Sequence, residues 1–485
     1  ILQKHLSAIS EIEKVEIAGP GFLNFTINRA VQAELVNEIN KAGKSYGNVD
    51  ALTGTKINLE FISANPTGPL HLGHTRWAAV GDALARILKA AGASVTTEFY
   101  INDRGTQMQL FGESVRAAAL SRPIPESGYQ GAYILDIAKY LVEQDPAILD
   151  LPEATQINEF RDRAYKYQLE QQQKVVAIFN THFDVWFSEK SLHDSNAVEH
   201  GLEVLRNKGH VFELDGATWL RTTEFGDDKD RVLVKADGSL TYFASDTAYY
   251  INKRERGYDV CIYMLGADHH GYVGRLKAIA ACNNDNPEYN VEVLIGQLVK
   301  IMKGNEELKL SKRAGTIITL EDIVEEVGVD AARYTLIRYP TDSPMTMDIE
   351  LLRSRTNENP VYYVQYAHAR IAGILRNANE LGINVGKGEL HQLQHDRENE
   401  LIAALAEFPK VVQNAAHLRE AHRVPRYLEE LAGTFHRFYA DCRVLPMGDE
   451  AKTPIHEARV DLCAATRQVL ENGLNLLGVT APDRM

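Results

Sequence analysis

The sequence predicts an α/β chain: a parallel-sheet domain that carries an insertion and is followed by an all-helical bundle. Three observations predict it. First, Ile57 to Ile62 alternates like a strand, and a turn of Asn65-Pro66-Thr67-Gly68-Pro69 follows. The stretch 71–91 is then rich in Ala, Leu and Arg, and 94–101 reads as a second strand. This β-loop-α-β order opens a parallel sheet. Second, residues 115–230 break that order with helical stretches at 132–143 and 159–181 and a β-like region at 219–234. Third, from about Thr356 apolar residues recur at helical spacing almost to the end, as in Leu428, Leu431 and Phe435 and in Leu462, Val469 and Leu470.

The elements follow in order. Residues 1–28 hold Gly19-Pro20-Gly21 before the alternating Phe22 to Ile27, which reads as a hairpin or strand end. This looks like the tail of a small domain whose beginning is absent. Residues 29–50 read as a linker helix, with Val31, Leu35, Val36 and Ile39 on one face. Residues 51–114 form the first half of the α/β domain, and 115–230 are the insertion. Residues 231–316 resume the sheet with Leu240-Thr241-Tyr242-Phe243, a helix and a strand over 259–265. Short helical pieces fill 317–355, and the bundle spans 356–485.

With 485 residues the chain exceeds one compact core, so two to four domains are expected. Hydrophobic residues make up 45% and charged residues 24%, an ordinary globular balance. No apolar run approaches the ~20 residues of a spanning helix. Ile1-Leu2-Gln3-Lys4-His5 has no signal-peptide layout and no starting Met. Cys261, Cys282, Cys442 and Cys463 form no C-x-x-C pair, which argues against a structural zinc and fits a reducing cytoplasm. The net charge of −14 argues against a nucleic-acid coater. Residues 355–485, however, hold 15 Lys and Arg against 17 Asp and Glu, so the acidity sits mostly elsewhere.

Two motifs carry chemistry. His71-Leu72-Gly73-His74 follows the Pro-rich turn at a helix start. Such an end gathers unpaired N–H groups and partial positive charge, and it attracts phosphate. Two imidazoles three positions apart share a face and can donate to phosphate oxygens. Gly73 leaves room for a base or ribose near the backbone. The second motif is Lys309-Leu310-Ser311-Lys312-Arg313, whose cations can neutralise a polyphosphate leaving group. It lies 235 positions beyond His74.

Together these resemble the "HIGH" and "KMSKS" signatures of class I aminoacyl-tRNA synthetases. The run Ser63 to His74, Tyr100-Ile101-Asn102-Asp103-Arg104-Gly105, Gly266 to Tyr272, Gly328 to Tyr334, Asn359 to Ala367 and the ending Leu477 to Met485 are similar to the arginyl family in particular. Leu310 and Arg313 depart from the usual Met and Ser. The resemblance implies a Rossmann-type catalytic domain and an all-α anticodon-binding bundle. It implies catalysis by His71, His74, Lys309 and Lys312, and ATP binding by Gly73, His269, His270, Ser311 and Arg313, though one of the two adjacent histidines could be structural. Arginine would be held by Glu60, Ser63, Asn65, Tyr242, Asp246 and Asp268, since a guanidinium needs planar, paired acceptors. Tyr362, Tyr366, Arg370 and Met485 would meet the tRNA. The expected partners are arginine, ATP with Mg²⁺ as counter-ion, and tRNA(Arg), with tRNA needed before activation. A monomer without membrane contact is expected, and 317–355 would touch the tRNA stem.

Overall fold

The computed structural model describes residues 2–6, 9, 12–304, 306–308 and 318–485. Two compact units emerge, one of residues 52–353 and one that joins 1–51 to 354–485.

Unit 52–353 is built on five parallel strands: β1 (Lys56–Glu60), β2 (Ser94–Ile101), β3 (Val185–Ser188), β4 (Val260–Gly266) and β5 (Val291–Gly296). Their order across the sheet is β5-β4-β1-β2-β3. Every neighbouring pair is parallel. Only Lys56 of β1 is exposed, as in a sheet covered on both faces. Helix α1 (Leu72–Ala90) lies close over the chain leaving β1: a Cβ on Gly81 would sit 2.4 Å from the Phe61 ring. The chain first moves outward from β1 to β2 and β3, then returns to β4 on the other side. That reversal opens a crevice beyond the carboxyl ends of β1 and β4, where ligands of such sheets bind.

One expectation needs correction. Val185–Ser188 lies inside the presumed insertion 115–230, yet it pairs in register with Glu98–Ile101 as the edge of the main sheet. Four residues carry too short a pattern to read, and long-range pairing decides the matter. The second half of the domain resumes at 240–243 with no strand of its own. Leu240 makes one isolated bridge to Val234, and the Thr241 hydroxyl caps a helix that starts at Tyr242. Thr at an N-cap outweighs the β-propensity of Tyr242 and Phe243.

Elsewhere in 115–230, helices Ala132–Gln144 and α2 (Glu153–Ile178) pack with Thr106–Ala119 around Phe111, Ile137 and Phe160. A small antiparallel sheet joins Val211–Leu214, Ala217–Leu220 and Arg231–Val234. Helix α3 (Tyr242–Glu255) borders the crevice, and α4 (Val329–Ile337) packs against α1. Arg333 on α4 is fully buried. It donates to Asp82 Oδ2 on α1 at 2.6 Å and to the carbonyls of Phe179 and Asn180.

In the other unit, Ile12–Ala18 and Phe22–Ile27 form an antiparallel hairpin through Gly19 and Gly21, both at positive φ. Helix Arg29–Ala42 packs on Asp396–Ala406 and Pro454–Leu476. It buries Ala33, Val36 and Ile39, whereas Val31 is exposed. The stretch expected as a linker is thus part of this helical unit. Helices α5 (Pro360–Glu380) and α6 (Arg423–Asp441) bury Val364, Ile371, Leu428 and Phe435 in its core.

Candidate active site

The histidine turn is built by mutual capping. The Nδ1 of His71 accepts the Gly73 N–H at 3.1 Å, and the His71 N–H donates to Nδ1 of His74 at 3.2 Å. The two rings lie 3.8 Å apart. With Nδ1 occupied as acceptor in both, the proton of each neutral ring belongs on Nε2, leaving that N–H as donor. Burial lowers the His71 pKa. Burial, then the His71 charge, lowers that of His74 to about 3. Both rings are therefore neutral donors near neutral pH. Gly73 has a steric task that the motif alone did not reveal: a Cβ there would stand 3.0 Å from His71 Cε1 and 3.1 Å from its Nδ1.

The turn is held from three sides. Gln172 Nε2 on α2 donates to the carbonyls of Asn65 and Gly68 at 3.0 and 2.8 Å. The Tyr133 hydroxyl donates to Thr67 O at 3.0 Å. Leu72 and Leu320 exchange backbone bonds with Ile318 and Leu70. A cavity of about 320 Å³ opens beside His71, lined also by Lys300, Glu307 and Ile318. Lys309, Ser311, Lys312 and Arg313 lie outside the described residues.

The crevice beyond β1 and β4 is acidic. The chain leaves β1 through Ile62 and Ser63 with φ of 69° and 46°, left-handed values that side-chain-bearing residues rarely adopt. Such backbone costs about 1–3 kcal/mol per residue and clusters at functional sites. Glu60 is buried and accepts from Lys253 Nζ at 2.5 Å and from Ser63 Oγ at 2.9 Å. Asp246 accepts from the Tyr272 hydroxyl. Burial pushes its carboxyl up to about 7, with Glu189 and Glu60 adding repulsion against Tyr272 and Arg275. Burial, then the carboxylates of Glu189, Asp246, Glu60 and Asp103, raises the Tyr100 pKa. Four carboxylates thus surround one phenol.

Two of those four escaped sequence reasoning. Glu189 is buried and takes no hydrogen bond or ion pair from the described residues. Burial, then Asp103, raises its pKa. Asp103 accepts from Tyr165, Ser188 and the Lys190 N–H, and so fixes the turn that bears Glu189. No local pattern marks Glu189, because it faces the crevice only through β3, the strand the sequence did not show.

The other expected residues divide. Asn65 Nδ2 donates to Gln107 at 2.6 Å, and Tyr242 is exposed at the start of α3, near Gly105. Asp268, His269 and His270 sit exposed on the turn after β4, with Asp268 and His269 3.4 Å apart. In the helical unit the rings of Tyr362 and Tyr366 stack at 6.0 Å. The Arg370 guanidinium lies over Tyr366 and Tyr439, and His436 packs on Tyr363 and Tyr366. Met485 is exposed.

Comparison with known proteins gives this geometry a family. The family model "tRNA synthetases class I (R), catalytic domain" matches residues 35–348, and "DALR anticodon binding domain" matches 364–485. An arginine–tRNA ligase of Paenarthrobacter aurescens is 53% identical over 485 residues, all of this chain and 88% of that one. A crystal structure from Campylobacter jejuni, described provisionally as an arginyl-tRNA synthetase, is 30% identical with a TM-score of 0.86, covering 95% of this chain and 100% of that one. The Thermus thermophilus arginyl-tRNA synthetase shares the fold at 21% identity and a TM-score of 0.76, covering 100% and 91%. The chain, with its neutral histidine pair and its acidic crevice, belongs to the arginyl-tRNA synthetase family of class I.

Proposed function

We propose that this chain activates L-arginine with ATP to arginyl-adenylate and pyrophosphate, then passes the arginyl group to the terminal ribose of its tRNA. The observation that carries the reading is the acidic crevice: Arg275 and Arg104 stand near Asp246 and Glu189, but neither carboxylate makes a close ion pair among the described residues, and paired carboxylates suit a planar guanidinium. Glu60 and Ser63 would form the wall beside them, Tyr242 would rim the mouth, and Asn65 and Asp268 would hold the amino-acid end. His71 and His74 donate Nε2–H to the phosphates, with Gly73, His269 and His270 around the nucleotide. Lys309, Ser311, Lys312 and Arg313 supply positive charge to the leaving pyrophosphate.

Catalysis is positioning plus stabilisation of phosphate charge, with no covalent nucleophile on the protein. Neutral donors are apt here, since they bind developing charge without a proton transfer. Magnesium would enter with the nucleotide, because it is held mainly by phosphates and water. No cluster of three or more His, Cys, Asp or Glu able to hold a metal occurs among the described residues. Stacked Tyr362 and Tyr366 with Arg370 offer a platform for unpaired bases of the tRNA, and Met485 ends the same unit.

Bound tRNA is required before activation. The test is ATP–pyrophosphate exchange with arginine, with and without tRNA(Arg). Exchange only in the presence of tRNA supports the order, and full exchange without it refutes the order.

A further inference from the structure

The crevice holds a fully buried cation that neither motif announces. Lys253 lies on α3, two turns after Asp246, and its side chain is fully buried. Its ammonium reaches Glu60 Oε2 at 2.5 Å and lies over the rings of Tyr249 and Tyr263 at 4.3 and 3.9 Å. A buried ammonium is tolerated only where a carboxylate and aromatic faces replace its water. The neighbouring charges are settled in the same way. Glu98 on β2 takes both guanidinium nitrogens of Arg256, and Asp103 takes three donors.

We infer that Lys253 is the positioning residue of the arginine pocket: by neutralising Glu60 it leaves Asp246 and Glu189 as the pair that receives the guanidinium. The inference rests on the arginine reading above. Without Lys253, Glu60 is an uncompensated anion close to Asp246. Around Asp246 stand Tyr272 and Arg275 beyond β4, Glu189 beyond β3, Tyr100 on β2 and Glu60 on β1. Of these only Arg275 is cationic, and Tyr272 already donates to Asp246; Glu189 in turn has Asp103 and the Arg104 guanidinium beside it. A freed Glu60 carboxylate would hold protons in this group to higher pH. A protonated carboxyl cannot pair with a guanidinium, so arginine binding weakens while ATP binding does not.

The test compares Lys253→Met, Lys253→Arg and the double variant Glu60→Gln/Lys253→Met with the unaltered chain. The readout is arginine KM, ATP KM and kcat in tRNA-dependent ATP–pyrophosphate exchange, across about pH 6 to 9. Lys253→Met is expected to raise arginine KM by about tenfold and to move its acid limb up by about one pH unit, with ATP KM unchanged. Lys253→Arg keeps the limb in place. Glu60→Gln added to Lys253→Met returns the limb to its original position. The double variant removes both buried charges, so it stays informative if the single variant fails to fold. An unmoved limb in Lys253→Met, or a double variant with the limb still displaced, overturns the inference. Failure of the unaltered chain to show any arginine-dependent exchange would instead overturn the arginine reading.

Discussion

Asp246→Asn separates recognition of arginine from stability, because the two respond in opposite directions. The substitution keeps shape but removes the charge proposed to meet the guanidinium. Removing one partner of a buried ion pair costs about 3–5 kcal/mol. At about 1.4 kcal/mol per decade, kcat/KM for arginine should fall by about 10²- to 4 × 10³-fold. ATP KM should stay within about twofold, since the loss lies in the amino-acid site. The carboxyl pKa of about 7 adds a pH signature, with burial its main cause. Arginine needs the ionised form, so wild-type arginine KM should fall as pH rises through 7 and level off above, while the variant's stays flat. The sign for stability is opposite. The folded pKa lies above the unfolded value of about 3.9, so the native state keeps a proton that the unfolded state has released. Stability from this group is therefore fully present below about pH 4 and is lost as pH rises through 7. Asp246→Asn removes that loss and should melt higher than wild type at pH 8. Arginine-dependent exchange at several pH values, with thermal melts, checks both. An arginine kcat/KM within threefold of wild type, or a lower melting temperature at pH 8, would refute the reasoning.

Two further outcomes follow from geometry. Gly73→Ala improves helix propensity but places a methyl 3.0 Å from the His71 ring. Melting should be unchanged or slightly raised while kcat for exchange falls by about 10- to 100-fold; unchanged kcat would show that the His71 position is not critical. Arg333→Met leaves Asp82 on the buried face of α1 without its α4 partner, although Arg86 still reaches that carboxylate at 2.7 Å. The cost should lie near the low end of about 3–5 kcal/mol by urea unfolding, and a change under about 1 kcal/mol would contradict the buried-staple reading.

What the sequence disclosed was local. The strand at 56–60, the Pro-rich turn and the two histidines three apart all lie within about twenty residues, where periodicity and turn chemistry speak. Tyr242 and Asp246 share one helix turn, so their proximity followed from spacing alone. The pairings that set the pocket's charge span much more chain: Lys253 meets Glu60 across 193 positions, and Arg256 meets Glu98 across 158. Glu189 was invisible because β3 has four residues and its parallel partner lies some ninety positions earlier. Gly73 was read as room for a ligand; its missing Cβ also makes way for the His71 ring. Backbone strain at Ile62 and Ser63 had no sequence signature, since neither residue favours positive φ.

The central claim is that this crevice selects a guanidinium. Aminoacylation of tRNA(Arg) with arginine, lysine and citrulline, each at equal concentration, tests it most directly. Citrulline keeps the shape of arginine without its charge, and lysine keeps a charge without the planar fork. The account predicts that arginine exceeds both by at least about 10³-fold in kcat/KM, and that Asp246→Asn narrows the gap between arginine and citrulline. Comparable charging with lysine or citrulline, or an undiminished arginine preference in Asp246→Asn, would contradict it.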